Sequence, residues 1–162
     1  MERGQSPFDF AALNRIASSA QIMPLSFMVK MSALRRYLIT WLVMLLVSIA
    51  NGVARDLTYG RHMSELAAHQ LSTLIGVLLL GLVIRGFVRR YPPSSARHAL
   101  TIGLGWLVMT LAFEFLFFHY VGGHSWSALL ANYNVSAGRV WIVVPFWVAV
   151  GPYVFFRFRH LA

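Results

Sequence analysis

The stretch TIGLGWLVMTLAFEFLFFHY, residues 101–120, decides the fold. It is an almost wholly apolar run with one carboxylate, Glu114, about two thirds of the way along. A helix of roughly 20 apolar residues crosses a bilayer core of ~30 Å. A carboxylate inside such a run is costly, so it needs a partner or a task. The remainder of the chain reads as what surrounds that glutamate.

Composition agrees with a membrane setting. The chain has 162 residues, of which 58% are hydrophobic and 12% charged, and the apolar residues come in long blocks. That points to one compact membrane domain rather than a large soluble core. The net charge of +9 is carried by basic residues between and beside the apolar blocks. Orientation in a bilayer explains them there, so the expected partner is lipid and not nucleic acid. The absence of cysteine excludes disulfides, iron–sulfur clusters and thiol chemistry.

Working outward from residues 101–120 gives four spans, at about 34–54, 65–88, 99–121 and 139–156. The fold class is all-α: an integral membrane four-helix bundle, with a short interfacial helix between spans three and four. Residues 1–33, with Pro7 and Pro24, read as a mobile cytoplasmic tail. Lys30, Arg35 and Arg36 ahead of residues 37–50 resemble a signal peptide, but no small-residue cleavage site follows. The segment therefore reads as an uncleaved signal-anchor. Ser64 is placed to cap span two, with Glu65 in its first turn. Gly122-Gly123 stops span three, and SWSALLANY, residues 125–133, forms the short helix with Ser125 as its cap. In span four, Pro145 and Pro152 are expected to free the carbonyls of Trp141 and Val148 and to kink the helix. The five tryptophans read mainly as aromatic belts at the two interfaces.

Eleven of the 14 basic residues fall on one side: Arg3, Arg15, Lys30, Arg35, Arg36, Arg85, Arg89, Arg90, Arg97, Arg157 and Arg159. Arg55, Arg61 and Arg139 fall on the other. The positive-inside rule places both termini and the loop between spans two and three in the cytoplasm. Two small-residue pairs, Ser72-x-x-x-Gly76 and Ala99-x-x-x-Gly103, mark faces on which helices can approach closely.

Each span has a polar face. Thr40, Met44, Ser48, Asn51 and Arg55 recur at helical spacing in span one. Glu65, His69, Thr73 and Gly76 do so in span two, with Gln70 beside them, and Gly103, Thr110 and Glu114 in span three. Alternating helix directions bring Asn51, Arg55, Glu65, His69, Gln70, Glu114 and Arg139 into the outer half of one bundle. Glu114 then lies seven residues from Val121, or ~10 Å below the outer edge. Asn132, Tyr133 and Asn134 are placed to cover the cluster as a lid.

Four uses of this cluster stay open. In the first, Arg55 and Arg139 balance Glu65 and Glu114 in a structural network between helices. In the second, Glu114 exchanges a proton for a cation or holds a basic solute. Small four-span drug and guanidinium exporters use a membrane glutamate this way, but theirs is not in span three. In the third, the two arginines bind a lipid phosphate or other anionic headgroup, and His69 with Glu65 or Glu114 supplies acid and base. No phosphatase-type motif, phosphate loop or nucleophile elbow accompanies them, so no residue is singled out as catalytic. In the fourth, His69 and His119 ligate a metal or haem, although the spacing guarantees no ligand set and calls for no metal or cofactor. A homo-oligomer, or a helper subunit of a larger membrane complex, is the non-enzymatic alternative.

The segments Asn51-Gly52-Val53-Ala54-Arg55, Ala68-His69-Gln70, Phe113-Glu114-Phe115, Tyr133-Asn134 and Gly138-Arg139-Val140-Trp141 resemble those of small uncharacterised four-span bacterial inner-membrane proteins. The resemblance covers about residues 34–156. It implies a bacterial inner-membrane location and no activity that can be named.

Overall fold

The computed structural model describes residues 25–159, with side chains from residue 31 onward. The first 24 residues of the expected tail lie outside the described residues. The chain divides into two compact units, Met1–Arg35 and Arg36–Ala162, and all packing reported below belongs to the second.

Every regular element among the described residues is helical. Helix α1 is Leu25–Leu57, and a 3-10 turn, Tyr59–His62, leads into α2, Glu65–Arg90. Helix α3 is Ala96–Tyr120, α4 is the short Trp126–Ala131, a second 3-10 turn is Val135–Ala137, and α5 is Val143–Arg159. Three helices, α1 to α3, are long and apolar enough to cross a membrane. Helix α1 begins before residue 34, where the apolar run suggested a start. The helix of the fourth apolar block opens at Val143, four residues after Arg139.

The caps explain the boundaries. Ser64 accepts a hydrogen bond from the Ala67 N–H, Ser95 from the His98 N–H and Ser125 from the Ala128 N–H, each satisfying a donor that the first turn leaves free. Past α3, Gly123 takes a left-handed φ of 68°, and the His124 N–H returns to the Phe118 carbonyl. Pro145 falls in the first turn of α5, where no N–H is needed. The Trp141 carbonyl expected to be free instead accepts from the Val144 N–H. Pro152 is inside the helix and does remove the donor for Val148.

Contacts fix the helix directions. Tyr37 meets Phe87 while Asn51 meets Ser72, so α1 and α2 are antiparallel. Tyr37 meets His98 and Trp41 meets Thr110, so α1 and α3 are parallel. Gly81 lies against Trp147 and Gly151 against Ile84, so α5 runs along α2. The seam between α3 and α5 is the tightest: a Cβ built at Gly103 would fall on the carbonyl oxygen of Ala149. Both small-residue pairs are buried, Gly76 under Asn51 and Gly103 under α5.

The core is Leu80, Ile84, Phe87 and Val88 of α2, Ile102 and Trp106 of α3, Val144 and Val148 of α5, and Met44 of α1. Trp106 is 1% exposed and donates from Nε1 to the Tyr37 carbonyl. It is a core residue, not part of a belt, because its one polar atom is satisfied inside. Helix α1 contributes least: between residues 31 and 57 only Met44 is buried.

Candidate functional site

Below the core, towards the Glu114 end, α1, α2, α3 and α5 leave a cavity of about 810 Å³. Its inner wall is apolar, formed by Trp41, Met44, Leu80, Val144 and Val148. Its outer part is polar, with Asn51 and Arg55 from α1, Glu65 and His69 from α2, Glu114 from α3 and Arg139 from the segment before α5. Six of the seven residues singled out in the sequence therefore line one space. Gln70 does not; it is exposed and donates to the Gly138 carbonyl at 3.1 Å, tying α2 to the loop that carries Arg139.

Helical spacing explains how each side chain reaches the cavity. Asn51 and Arg55 are four apart on α1, Glu65 and His69 four apart on α2, and Thr110 and Glu114 four apart on α3. Asn51 is fixed by donating to the Ser72 carbonyl at 2.9 Å and to the Ser72 hydroxyl at 3.0 Å. Trp41 donates from Nε1 to the Thr110 hydroxyl at 3.2 Å and meets Phe113 edge-on, which fastens α1 to α3.

The expected network of two arginines and two glutamates forms only in part. Arg55 binds its own neighbour Asp56 at 2.8 Å rather than Glu65 or Glu114. Arg139 approaches Glu65 at 3.6 Å and donates to the Asn132 side chain at 3.2 Å. Glu65 is largely exposed, so that pair adds at most about 1 kcal/mol. Among the described residues no arginine or histidine is within ion-pair distance of Glu114. Glu114 is 8% exposed, and among the described residues its carboxylate has a single hydrogen bond, received on Oε2 from the Tyr133 hydroxyl at 2.6 Å.

Tyr133 lies outside the long helices, two residues past α4. Burial pushes its phenol well above the ordinary tyrosine range, and the bond to the Glu114 carboxylate raises it further. The Trp141 indole pulls weakly the other way, without an Nε1–H geometry that makes a hydrogen bond. Tyr133 and Asn132 therefore contact the cluster directly. Asn134 instead caps the 3-10 turn, accepting from the Ala137 N–H.

Several lining residues had no signal as site residues. Asp56, Arg61, Phe113 and Trp141 line the cavity, but Asp56, Arg61 and Trp141 near helix ends read equally well as solvated or interfacial, and Phe113 as one more apolar residue of its run. His119 goes elsewhere: it bonds the His124 carbonyl at 2.8 Å and stacks on Trp126 at 3.9 Å. It does not meet His69, and among the described residues no group of three His, Cys, Asp or Glu is arranged to hold a metal.

No protein family model, curated protein or solved structure matches this chain.

Proposed function

We propose that the chain is a four-span bacterial inner-membrane protein whose outward-facing cavity binds or moves a small solute or ion, with Glu114 as the charged group that engages it. The observation that carries the reading is a buried glutamate, 8% exposed, with no cation within ion-pair distance among the described residues, on the wall of a cavity of about 810 Å³. Cavities of roughly 300–1,000 Å³ are the usual size for small-molecule sites. Helix α5, 17 residues long, supplies the fourth crossing together with the irregular residues before it. The basic ends face the cytoplasm by the positive-inside rule, and α4 lies at the outer interface. A phosphate-headgroup enzyme is less well supported, because Arg55 and Arg139 each already hold a carboxylate.

Thermal stability in detergent of Glu114→Gln, Arg55→Gln and the double variant tests the reading. Glu114→Gln is expected to be as stable as the parent or more so, and the two changes to be additive, since the groups do not pair. Strong destabilisation by Glu114→Gln, recovered in the double variant, would make the carboxylate a structural ion and end the proposal. Cysteine labelling at Arg97 tests orientation, with access expected from the cytoplasmic side alone.

A further inference from the structure

We infer that the cavity selects an organic cation with an apolar or aromatic body, over both anions and bare metal ions. The inference rests on the reading of this space as a binding chamber and names what it would take. Charge comes first. Of the charged groups lining the cavity, Arg55 is paired with Asp56 and Arg139 with Glu65, and the exposed Arg61 donates to the Asp56 carbonyl, which leaves Glu114 as the acid without an ion pair among the described residues. Glu114 is the acid deeper in α3, with Tyr133 holding Oε2 and no hydrogen bond to Oε1 among the described residues. A carboxylate taken out of water without a counter-charge is costly, and a bound cation offsets that cost directly.

A bare metal ion fits the lining poorly. Hard cations take six or more oxygens at close range, whereas among the described residues no group of three His, Cys, Asp or Glu is arranged to hold one, and Trp41, Phe113 and Trp141 form part of the walls. Aromatic rings in a lining favour a diffuse organic cation instead. A volume of about 810 Å³ also far exceeds what a single ion fills. Access matches an amphipathic ligand: Ile49, Val53 and Phe118 line the cavity and are at the same time exposed large apolar side chains. The opening between α1 and α3 is therefore apolar as well as polar.

The test uses two ions of one shape and opposite charge, tetraphenylphosphonium and tetraphenylborate, titrated against the full chain in detergent. Saturable binding of the phosphonium, with the borate at least about tenfold weaker, is expected. Glu114→Gln should then lower phosphonium affinity by about 10- to 100-fold, the range of a charge-assisted contact. Glu114→Asp, which keeps the charge, should recover part of the loss. Equal binding of the two ions, or phosphonium binding unchanged by Glu114→Gln, would overturn the cation selectivity while leaving a binding cavity. Binding of neither ion by the parent protein overturns the inference as well. The broader reading fails separately, by the stability of Glu114→Gln and not by these titrations. The comparison of the two ions needs no variant, so a misfolded mutant cannot obscure it.

Discussion

At the basic end of the molecule, the Tyr37 hydroxyl meets His98 Nε2 at 3.0 Å, and His98 Nδ1 meets the Ser94 hydroxyl at 3.0 Å. At the other end, Glu114 has one hydrogen bond among the described residues and an open cavity beside it. Both ends place polar groups between helices, yet the first closes and the second does not. Aromatic volume makes the difference. Phe87 is packed edge-on by both Tyr37 and Trp106, and the Arg36 and Arg90 guanidiniums flank Tyr91. Towards Glu114 the α1 residues lining the space include the small Ser48, Asn51 and Gly52 beside Ile49 and Val53, and the space between helices stays unfilled. Polar residues between membrane helices are thus not of one kind: where bulky neighbours fill the gaps they glue, and where small ones leave gaps they line a chamber.

The contrast can be broken most forcefully at Trp106. Trp106→Ala should cost about 3–5 kcal/mol, because it empties a fully buried site and removes the indole bond to the Tyr37 carbonyl. Chemical denaturation in detergent measures this, and a loss below about 1 kcal/mol would mean that the closed end does not anchor the fold. Next in size is Gly103→Ala, which pushes a methyl into the α5 backbone and should cost about 1–3 kcal/mol. Gly105→Ala, two residues along the same helix with nothing within 4 Å, is its matched control. Equal losses at the two positions would remove the tight α3–α5 seam from the account.

A smaller effect concerns Tyr133 and pH. Its phenol is raised in the folded state, so the stability it contributes is fully present below the unfolded value of about 10. That stability is lost as pH rises above that value, because the folded protein resists losing the proton while the unfolded chain gives it up. The parent should lose melting temperature more steeply above pH ~10 than Tyr133→Phe does. Parallel alkaline slopes would place Tyr133 in water and detach it from Glu114. The smallest change is expected at Gly52→Ala, which adds a methyl beside the cavity where nothing lies within 4 Å. Removing a helix-interior glycine should be neutral or stabilise by up to about 1 kcal/mol, read as a shift in melting temperature. A marked loss there would mean that the chamber wall is packed after all.

How much was legible follows from how local each feature is. The caps at Ser64 and Ser125 were readable because a cap is decided by residues within one turn. The shared faces were readable too, since Asn51 with Arg55, Glu65 with His69 and Thr110 with Glu114 are set by helical periodicity alone. Gly103 announced a close approach but not its partner, Ala149, nearly fifty residues away. Arg139 does approach Glu65, but the partners of Arg55 and Glu114 were misread because residue type and depth do not choose among several carboxylates. Asp56 took Arg55 by being adjacent to it. Tyr133 reached Glu114 because the Gly138 turn and the Gln70 bond hold its loop over the cluster, and no periodicity reports on a loop.

The sequence by itself determined the helices, the apolar lengths of three of them, and which side chains share a face, because these depend on residues a few positions apart. Only the tertiary structure decided that, among the described residues, Glu114 has a tyrosine and no arginine for a partner, and that the space beside it is open. Those outcomes depend on side-chain volumes summed across four chain segments and on the path of a loop, which are properties of the packed molecule and of no single stretch.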